Sequence, residues 1–312
     1  MKVAMAQIAA RLLDRDATLL RVVAAIEEAA KGGASLVCFG EALVPGYPFW
    51  VERTDGARFD AADQKHWHAR YQREAVQIEA GHLEPVCKVA RSHAIAVYLG
   101  VMERPPERGG HSLYASLVFI GADGNIGSVH RKLMPTYEER LVWSTGDGHG
   151  LQVHALGPFT VGGLNCWENW MPLARSALYA QGENLHVAVW PGNVRNTENI
   201  TRFIAQESRS YVISVCGLMR AKDLPDELRV APFNLQLNET VANGGSCIAA
   251  PDGTWVRAPV AETQGVFIDT LDFEQVRQER HNFDPSGHYS RPDVTQLTVD
   301  RRRQRLASFT DD

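Results

Sequence analysis

The sequence predicts an α/β fold, two packed sheets with helices on their outer faces, and three observations lead to it. The 312-residue chain runs twice through the order helix, strand, helix, strand, hairpin, and elements of that kind bury their apolar faces by stacking sheet on sheet beneath covering helices. The hairpins that end the two halves match: ASLVFIGADGNIGSV at 115–129 and SCIAAPDGTWVRAP at 246–259 are each two apolar runs about a Gly-containing turn. No stretch rich in Ser, Pro or Gly divides the halves, so one domain is expected.

Taken in order, residues 3–8 read as a strand, and Leu19, Val23, Ile26 and Ala30 recur at helical spacing until Gly32 and Gly33 stop the run. ASLVCF, 34–39, is a buried strand. A mixed stretch from about 60 to 93 supplies helices, AIAVYLGVMER from 94 is a strand, and 115–132 is the first hairpin. In the second half GGLN finishes a strand, and a helix runs from Pro172, well placed in its first turn, to Gly182. HVAVW is a strand, a helix covers roughly 197–210, and YVISVCGLMR is a strand leading to the second hairpin.

Composition narrows the function classes. An apolar fraction of 45% supports a sizeable core, and a net charge of -5 gives no broad attraction for nucleic acid or anionic lipid. Arg301, Arg302, Arg303 and Arg305 form the one basic cluster; beside Asp300, Asp311 and Asp312 it reads as a solvated tail. The opening MKVAMAQIAA is interrupted by Gln7 and followed by the polar RLLDRD, unlike an export signal, and no apolar run approaches the length of a membrane span. Five cysteines without a CxxC pair suit a reducing cytoplasm. Four of them, Cys38, Cys87, Cys216 and Cys247, lie in strand or helix patterns where a buried, inert thiol is expected. TGDGHG, 145–150, lacks the strand-to-helix setting of a dinucleotide site and reads as a loop.

The fifth, Cys166, stands in GGLNCWENWMPLARSAL, on a turn between strand and helix. Such a turn projects a side chain off the sheet and leaves backbone N–H groups free to face a developing anion, and a nearby helix start favours thiolate. A thiol nucleophile needs a base. None of the eleven histidines has an obvious claim: His66 and His68 do not share a helix face, and His130 and His186 fit as strand residues. Glu41, directly after ASLVCFG, and Lys132, directly after IGSVHR, are charged groups at other strand ends, each equally readable as a solvated loop residue. Converging in a dry pocket, carboxylate, ammonium and thiol would suit acyl chemistry.

Three segments make the pattern specific. FGEALVPGYPFW around Glu41, HRKLMPTYEERLVWSTGDG around Lys132 and GLNCWENWMPLARSALYAQGE around Cys166 resemble the signature segments of the carbon-nitrogen hydrolase superfamily. CWEN, together with GHYSRPDV at 287–294, resembles its nitrilase branch. The resemblance implies a four-layer alpha-beta-beta-alpha sandwich over 1–295, with 296–312 a short C-terminal tail. It carries a Glu-Lys-Cys triad onto Glu41, Lys132 and Cys166, and a second glutamate, in an E-R-x-x-W context, onto Glu139; the adjacent Glu138 lacks that register and reads as solvated.

The implied reaction hydrolyses a small-molecule organic nitrile to the carboxylic acid and ammonia through a cysteine thioimidate and thioester, with no metal or organic cofactor. The main-chain N–H of Trp167 is the implied oxyanion donor, Glu168 reads as a carboxylate that fixes the loop by hydrogen bonds in preference to a second acid, and Tyr47, Trp143, Trp167, Trp170 and Pro191 are the implied pocket wall, with Phe49 and Trp50 beneath the loop. Such walls fit an aromatic or arylaliphatic nitrile, although rings also line pockets for aliphatic chains. An amidase or N-carbamoyl amidohydrolase would use the same triad; a Cys-His peptidase would need a histidine instead, and a non-catalytic binding module neither. Kinship implies a homodimer or larger homo-oligomer formed through outer-layer helices, and the short tail argues against extended filaments.

Overall fold

The computed structural model describes residues 1–224, 226–230 and 235–307. β1 (Lys2–Gln7) is followed by α1 (Arg15–Lys31), β2 (Leu36–Phe39), the single turn α2 (Trp50–Arg53), α3 (Ala62–Glu74), α4 (Glu84–His93), β3 (Ala96–Glu103) and the hairpin β4 (Tyr114–Ile120) and β5 (Ile126–Arg131). The chain continues through β6 (His154–Leu156), β7 (Phe159–Asn165), α5 (Pro172–Tyr179), β8 (Leu185–Trp190), α6 (Val194–Ser208), β9 (Tyr211–Cys216), β10 (Leu218–Arg220), α7 (Asp226–Val230) and the hairpin β11 (Thr240–Ala249) and β12 (Trp255–Ala261). It then adds β13 (Gly265–Thr270) and α8 (Phe273–Arg280).

These strands make two sheets. The first has the order β13-β1-β2-β3-β4-β5; in the second, β6, β7, β8, β9 and β11 are successive neighbours and β12 pairs with β11. In both, three strands run parallel (β1, β2, β3 and β7, β8, β9) with an antiparallel strand on either side. The twofold reading of the sequence therefore corresponds to two sheets of like order.

Strand alternation explains the layering. Val3 and Met5 of β1, Leu36 and Cys38 of β2 and Leu117 and Phe119 of β4 point inward, onto Val161, Val187, Val189, Ile213 and Val215 of the second sheet. Ala4, Ala6, Val37, Phe39, Val97 and Leu99 point the other way, onto Leu19, Val22, Ile26 and Ala29 of α1 and Val86, Val89 and Ala90 of α4. On the far side Ala188, Trp190 and Val212 meet Ile200, Ile204 and Ala205 of α6, and Leu164 meets Ala174, Ala177 and Leu178 of α5. The result is the alpha-beta-beta-alpha sandwich, each fully buried Leu, Ile or Val contributing about 2 kcal/mol relative to exposure. Cys38, Cys87, Cys216 and Cys247 are free and buried, and burial pushes all four thiols up.

Several sequence expectations shift. The buried face of α1 is Leu19, Val22, Ile26 and Ala29, with Val23 and Ala30 only half-buried at its margin. The helix after Pro172 closes at Tyr179, before the turn at Gly182. YVISVCGLMR breaks at Gly217 into β9 and β10, where the Gly217 N–H is drawn to the carbonyl of Trp190 (3.2 Å). The basic cluster is not uniformly solvated. Arg303 donates to Asp147 Oδ1 (2.9 Å) and to the carbonyl of Val129 (2.9 Å), and the N–H of Gln304 donates to Asp147 Oδ2 (2.9 Å). Asp147 is buried and needs these donors, whereas Arg302 stays exposed and pairs with Asp300. Asp311 and Asp312 lie outside the described residues.

Candidate active site

Lys132 and Cys166 stand immediately beyond β5 and β7, and Glu41 stands beyond β2 after Gly40. The first sheet brings Glu41 and Lys132 to one edge because β5 reverses β4, which reverses β3, so β5 runs with β2. Backbone packing at Glu41 is close enough to require glycine. A Cβ on Gly40 would lie 2.6 Å from the nitrogen of Gly217, and one on Gly100 would lie 2.2 Å from the carbonyl oxygen of Gly40. With that clearance the Glu41 N–H donates to the carbonyl of Trp190 in the second sheet (3.1 Å), joining the sheets at the site.

The turn that carries Cys166 is a 3-10 helix, Cys166–Trp170, entered with Cys166 at φ +48°. A left-handed non-glycine residue is strained and needs holding in place. Glu168 does part of this. It is buried, and its carboxylate accepts from the N–H of Asn165 (2.9 Å), from the N–H of Leu133 (2.6 Å) and from His130 Nε2 (3.0 Å). One acid thus ties the thiol turn to residues on both sides of Lys132. Burial alone would raise its pKa, but the charge and hydrogen bond of His130 and the two backbone donors outweigh burial and hold it below the usual range.

Around Lys132 the charges interlock. Its Nζ makes an ion pair with Glu41 Oε1 (2.9 Å) and donates to Glu139 Oε2 (2.7 Å). Glu139 in turn accepts from Tyr47 OH (2.7 Å) and from the N–H of Thr136 (2.6 Å). The sulfur of Cys166 and one oxygen from each of Glu41 and Glu139 lie within 4.8 Å of one another. Those three atoms have the makings of a cation site, but the Lys132 ammonium already stands against both carboxylates.

Glu41, Lys132, Glu139 and Cys166 are all almost wholly buried, which sets their protonation. Burial pushes the Glu41 carboxyl up, Lys132 pulls it back and Glu139 pushes it up again, to about 8. Burial would depress the Lys132 ammonium, yet the charges of Cys166, Glu41 and Glu139 outweigh it and hold it above its ordinary range. Burial, then Glu41, push the Cys166 thiol well up; Lys132 and the main-chain N–H of Trp167 oppose them. Burial, followed by the charges of Glu139 and Glu41, also raises the Tyr47 phenol, which stays a donor.

A cavity of about 580 Å³ reaches this cluster, with Cys166 and Glu139 in its wall. Tyr47, Trp167 and Pro191 line it; Trp143 and Trp170 do not. Trp143 is buried behind Tyr47, ring centroids 5.4 Å apart, with Lys132 Nζ 5.4 Å from its own ring. Trp170 is exposed on the outer face and stacks on Phe203, ring centroids 6.3 Å apart. Trp50 packs beneath the loop against Tyr71, whereas Phe49 faces the cavity. The mouth is more polar than its aromatics suggested, since Glu52, Glu138, Arg195 and Asn196 border it. The two buried histidines among the described residues, His130 and His186, direct ring nitrogens at Glu168 and at Glu183 and Asn169.

A carbon-nitrogen hydrolase family model matches residues 2–281. The chain belongs to that family. Among its relatives, an aliphatic nitrilase from Rhodococcus rhodochrous is 33% identical over 96% of this chain and 79% of its own. Nitrilase 2 from Arabidopsis thaliana is 32% identical over 95% and 87%. Of the solved structures, Nit3 from Saccharomyces cerevisiae, a member of branch 10 of the nitrilase superfamily, superposes with a TM-score of 0.71 at 17% identity, covering 93% of this chain and 96% of that one. The fold of this hydrolase is therefore that of the nitrilase superfamily.

Glu168 fixes the loop of this hydrolase as expected, and what the sequence did not reveal are its distant partners, His130 and the N–H of Leu133. The spacing Asn165-x-x-Glu168 and Thr136-x-x-Glu139 is that of a capping box, in which an acid reaches back to the N–H three residues before it. Both acids make that bond. The spacing gives the geometric reason for the loop-fixing role expected of Glu168 and assigns Glu139 the same turn-forming bond.

Proposed function

We propose that this hydrolase is a nitrilase acting on small-molecule nitriles. The observation that carries the proposal is the single buried cluster in which the Lys132 ammonium contacts Glu41 at 2.9 Å and Glu139 at 2.7 Å, with the Cys166 sulfur within 4.8 Å of both acids. Relatives at about 33% identity that bear the name nitrilase support the nitrile over other carbon-nitrogen bonds.

In the proposed reaction Glu41 takes the Cys166 proton, the sulfur adds to the nitrile carbon, and the proton passes to the nitrile nitrogen, giving a thioimidate. Lys132 stabilises charge on that nitrogen. Water adds, ammonia leaves, and a thioester remains. A second water, deprotonated by Glu41, cleaves it to the carboxylic acid and restores the thiol. Glu139, held by Tyr47 and Thr136, orients Lys132, and the Trp167 N–H faces the oxyanion. Tyr47, Trp167 and Pro191 contact the substrate chain, and no step calls for a metal or organic cofactor. Five free thiols suit a reducing compartment such as the cytoplasm.

Ammonia release from aliphatic, aromatic and arylacetonitrile substrates and from the matching amides, with Cys166→Ala as the blank, tests the proposal. Release from nitriles is expected, and release from amides alone would make the enzyme an amidase. Self-association, as a homodimer or larger, belongs to the same reading, through the outer face where Trp170, Leu173 and Phe203 are exposed. Sizing chromatography should give at least twice the monomer mass, and a Leu173→Glu variant that elutes unchanged would remove this face from the interface.

A further inference from the structure

Behind the nucleophile runs a second buried polar chain that the proposed chemistry does not use. Asn169 Nδ2 donates to the carbonyl of Cys166 (2.9 Å) and to that of Leu164 (3.3 Å). Asn169 Oδ1 lies 2.7 Å from His186 Nε2, and His186 Nδ1 lies 2.9 Å from Glu183 Oε1. Asn169, His186 and Glu183 have no exposed surface, and none of them borders the cavity. Buried polar groups in general find partners; Glu183 Oε2 has none among the described residues, but the directions of the bonds that are made follow from what each atom is able to do.

Carbonyl oxygens only accept. The end of Asn169 that faces Cys166 and Leu164 is therefore its NH₂, and its oxygen faces His186. An amide oxygen only accepts as well, so His186 Nε2 carries a proton and donates it. Glu183 holds the other ring nitrogen and fixes the plane of the ring. Its carboxylate lies beneath β7 because position 162 is glycine; a Cβ there would come within 2.3 Å of Glu183 Oε1. Asn169 is secured from a further side by Arg175, which donates to its carbonyl (2.7 Å) while also pairing with Glu207 (2.7 Å).

The residue whose carbonyl this chain captures is the strained one, Cys166 at φ +48°. We infer that Asn169 and His186, backed by Glu183, are positioning residues that hold the Cys166 backbone in its left-handed conformation and so keep the sulfur aimed at Lys132 and Glu41. His186 acts at one remove, through the amide of Asn169. Loss of the His186 donor leaves Asn169 Oδ1 buried without a partner, frees the amide to turn over, and releases the Cys166 carbonyl. The sulfur then drifts from its charge partners while the cavity that binds substrate is unchanged.

The inference rests on Cys166 being the nucleophile, and the test reads the thiol itself as well as turnover. His186→Leu and His186→Gln variants of the full chain are compared with the native enzyme for kcat and KM on a nitrile and for the rate of Cys166 alkylation by iodoacetamide, assigned by peptide mapping. In His186→Leu both kcat and the alkylation rate are expected to fall about tenfold or more, because small displacements of a reacting group are costly, while KM stays within about twofold. His186→Gln, which restores an N–H donor to Asn169, should recover most of both. A folded His186→Leu enzyme that alkylates and turns over within about twofold of native would overturn the inference. If no variant, native included, hydrolyses nitriles, the alkylation rates still decide it and the nitrilase proposal fails separately. If His186→Leu does not fold, nitrogen NMR of the native ring decides: a protonated Nε2 supports the assignment, and a bare Nε2 contradicts it.

Discussion

At Glu41, burial and charge act on one carboxyl in opposite directions, and in the proposed reaction the balance sets the pH at which this group can serve as base. Burial raises its pKa, Lys132 lowers it and Glu139 raises it, leaving it at about 8. Below that pH the carboxyl keeps its proton and cannot accept one from the thiol. The logarithm of kcat/KM should therefore rise with unit slope, about tenfold per pH unit, and level off above about 8. Glu139→Gln removes a like charge, so its residual activity should show a lower midpoint; an unmoved or higher midpoint would mean that Glu41 is not the group being titrated. Stability carries the opposite sign. Between the ordinary 4.5 and about 8 the folded chain holds a proton that the unfolded chain has lost, so the contribution of Glu41 is fully present below 4.5 and is lost as pH rises through 8. Glu41, Lys132 and Cys166 could be picked out of the sequence because each stands at or one residue past the end of a strand, within a long motif. Trp170 could not be separated from Trp167 by sequence, because both rings are exposed with centroids 6.3 Å apart and only Trp167 reaches the cavity wall.

Among the elements, the short turns that carry Glu139 and Glu168 show how local structure builds the site. Each acid satisfies the backbone N–H three residues earlier and then reaches a distant partner: Lys132 and Tyr47 for Glu139, His130 and Leu133 for Glu168. Replacing Glu168 with leucine would leave the N–H groups of Asn165 and Leu133 and the His130 ring without their acceptor. We expect Glu168→Leu to lose about 3 kcal/mol or more of stability, read from its urea midpoint, and to lose nitrile turnover; an unchanged midpoint would show that other acceptors replace it. The elements themselves were legible where chemistry repeats along the chain, as in the alternating inward and outward residues of β1 and the turn residues of both hairpins. β13 and α8 were not, since β13 is only half-buried and carries a weak alternation. The contact of Glu168 with His130 spans 38 residues of sequence, and no local pattern encodes it.

For the whole molecule, two sheets of like order bring the ends of β2, β5 and β7 to one edge, and that convergence assembles the candidate site. The C-terminal segment supports it from behind. Arg303 and Gln304 hold Asp147, Gln304 Nε2 donates to the carbonyl of Gly146 (3.0 Å), and the N–H of Gly146 donates to the carbonyl of Lys132 (2.8 Å). Charge composition alone read this segment as a solvated tail because its anchor, Asp147, lies 156 residues away. Arg303→Ala leaves a buried carboxylate short of its ion partner and should cost about 3 kcal/mol in urea unfolding; a loss below about 0.5 kcal/mol, typical of an exposed pair, would mean the segment is not docked.

The proposed reaction turns on a bond between the Cys166 sulfur and the nitrile carbon. Rapid mixing with a nitrile that is turned over, followed by acid quench, intact-mass measurement and peptide mapping, tests it directly. A covalent thioimidate or thioester is expected on the peptide containing Cys166, absent in Cys166→Ala and accumulating more slowly in Lys132→Ala. Ammonia release without any adduct on Cys166, or with the adduct on another residue, would contradict it.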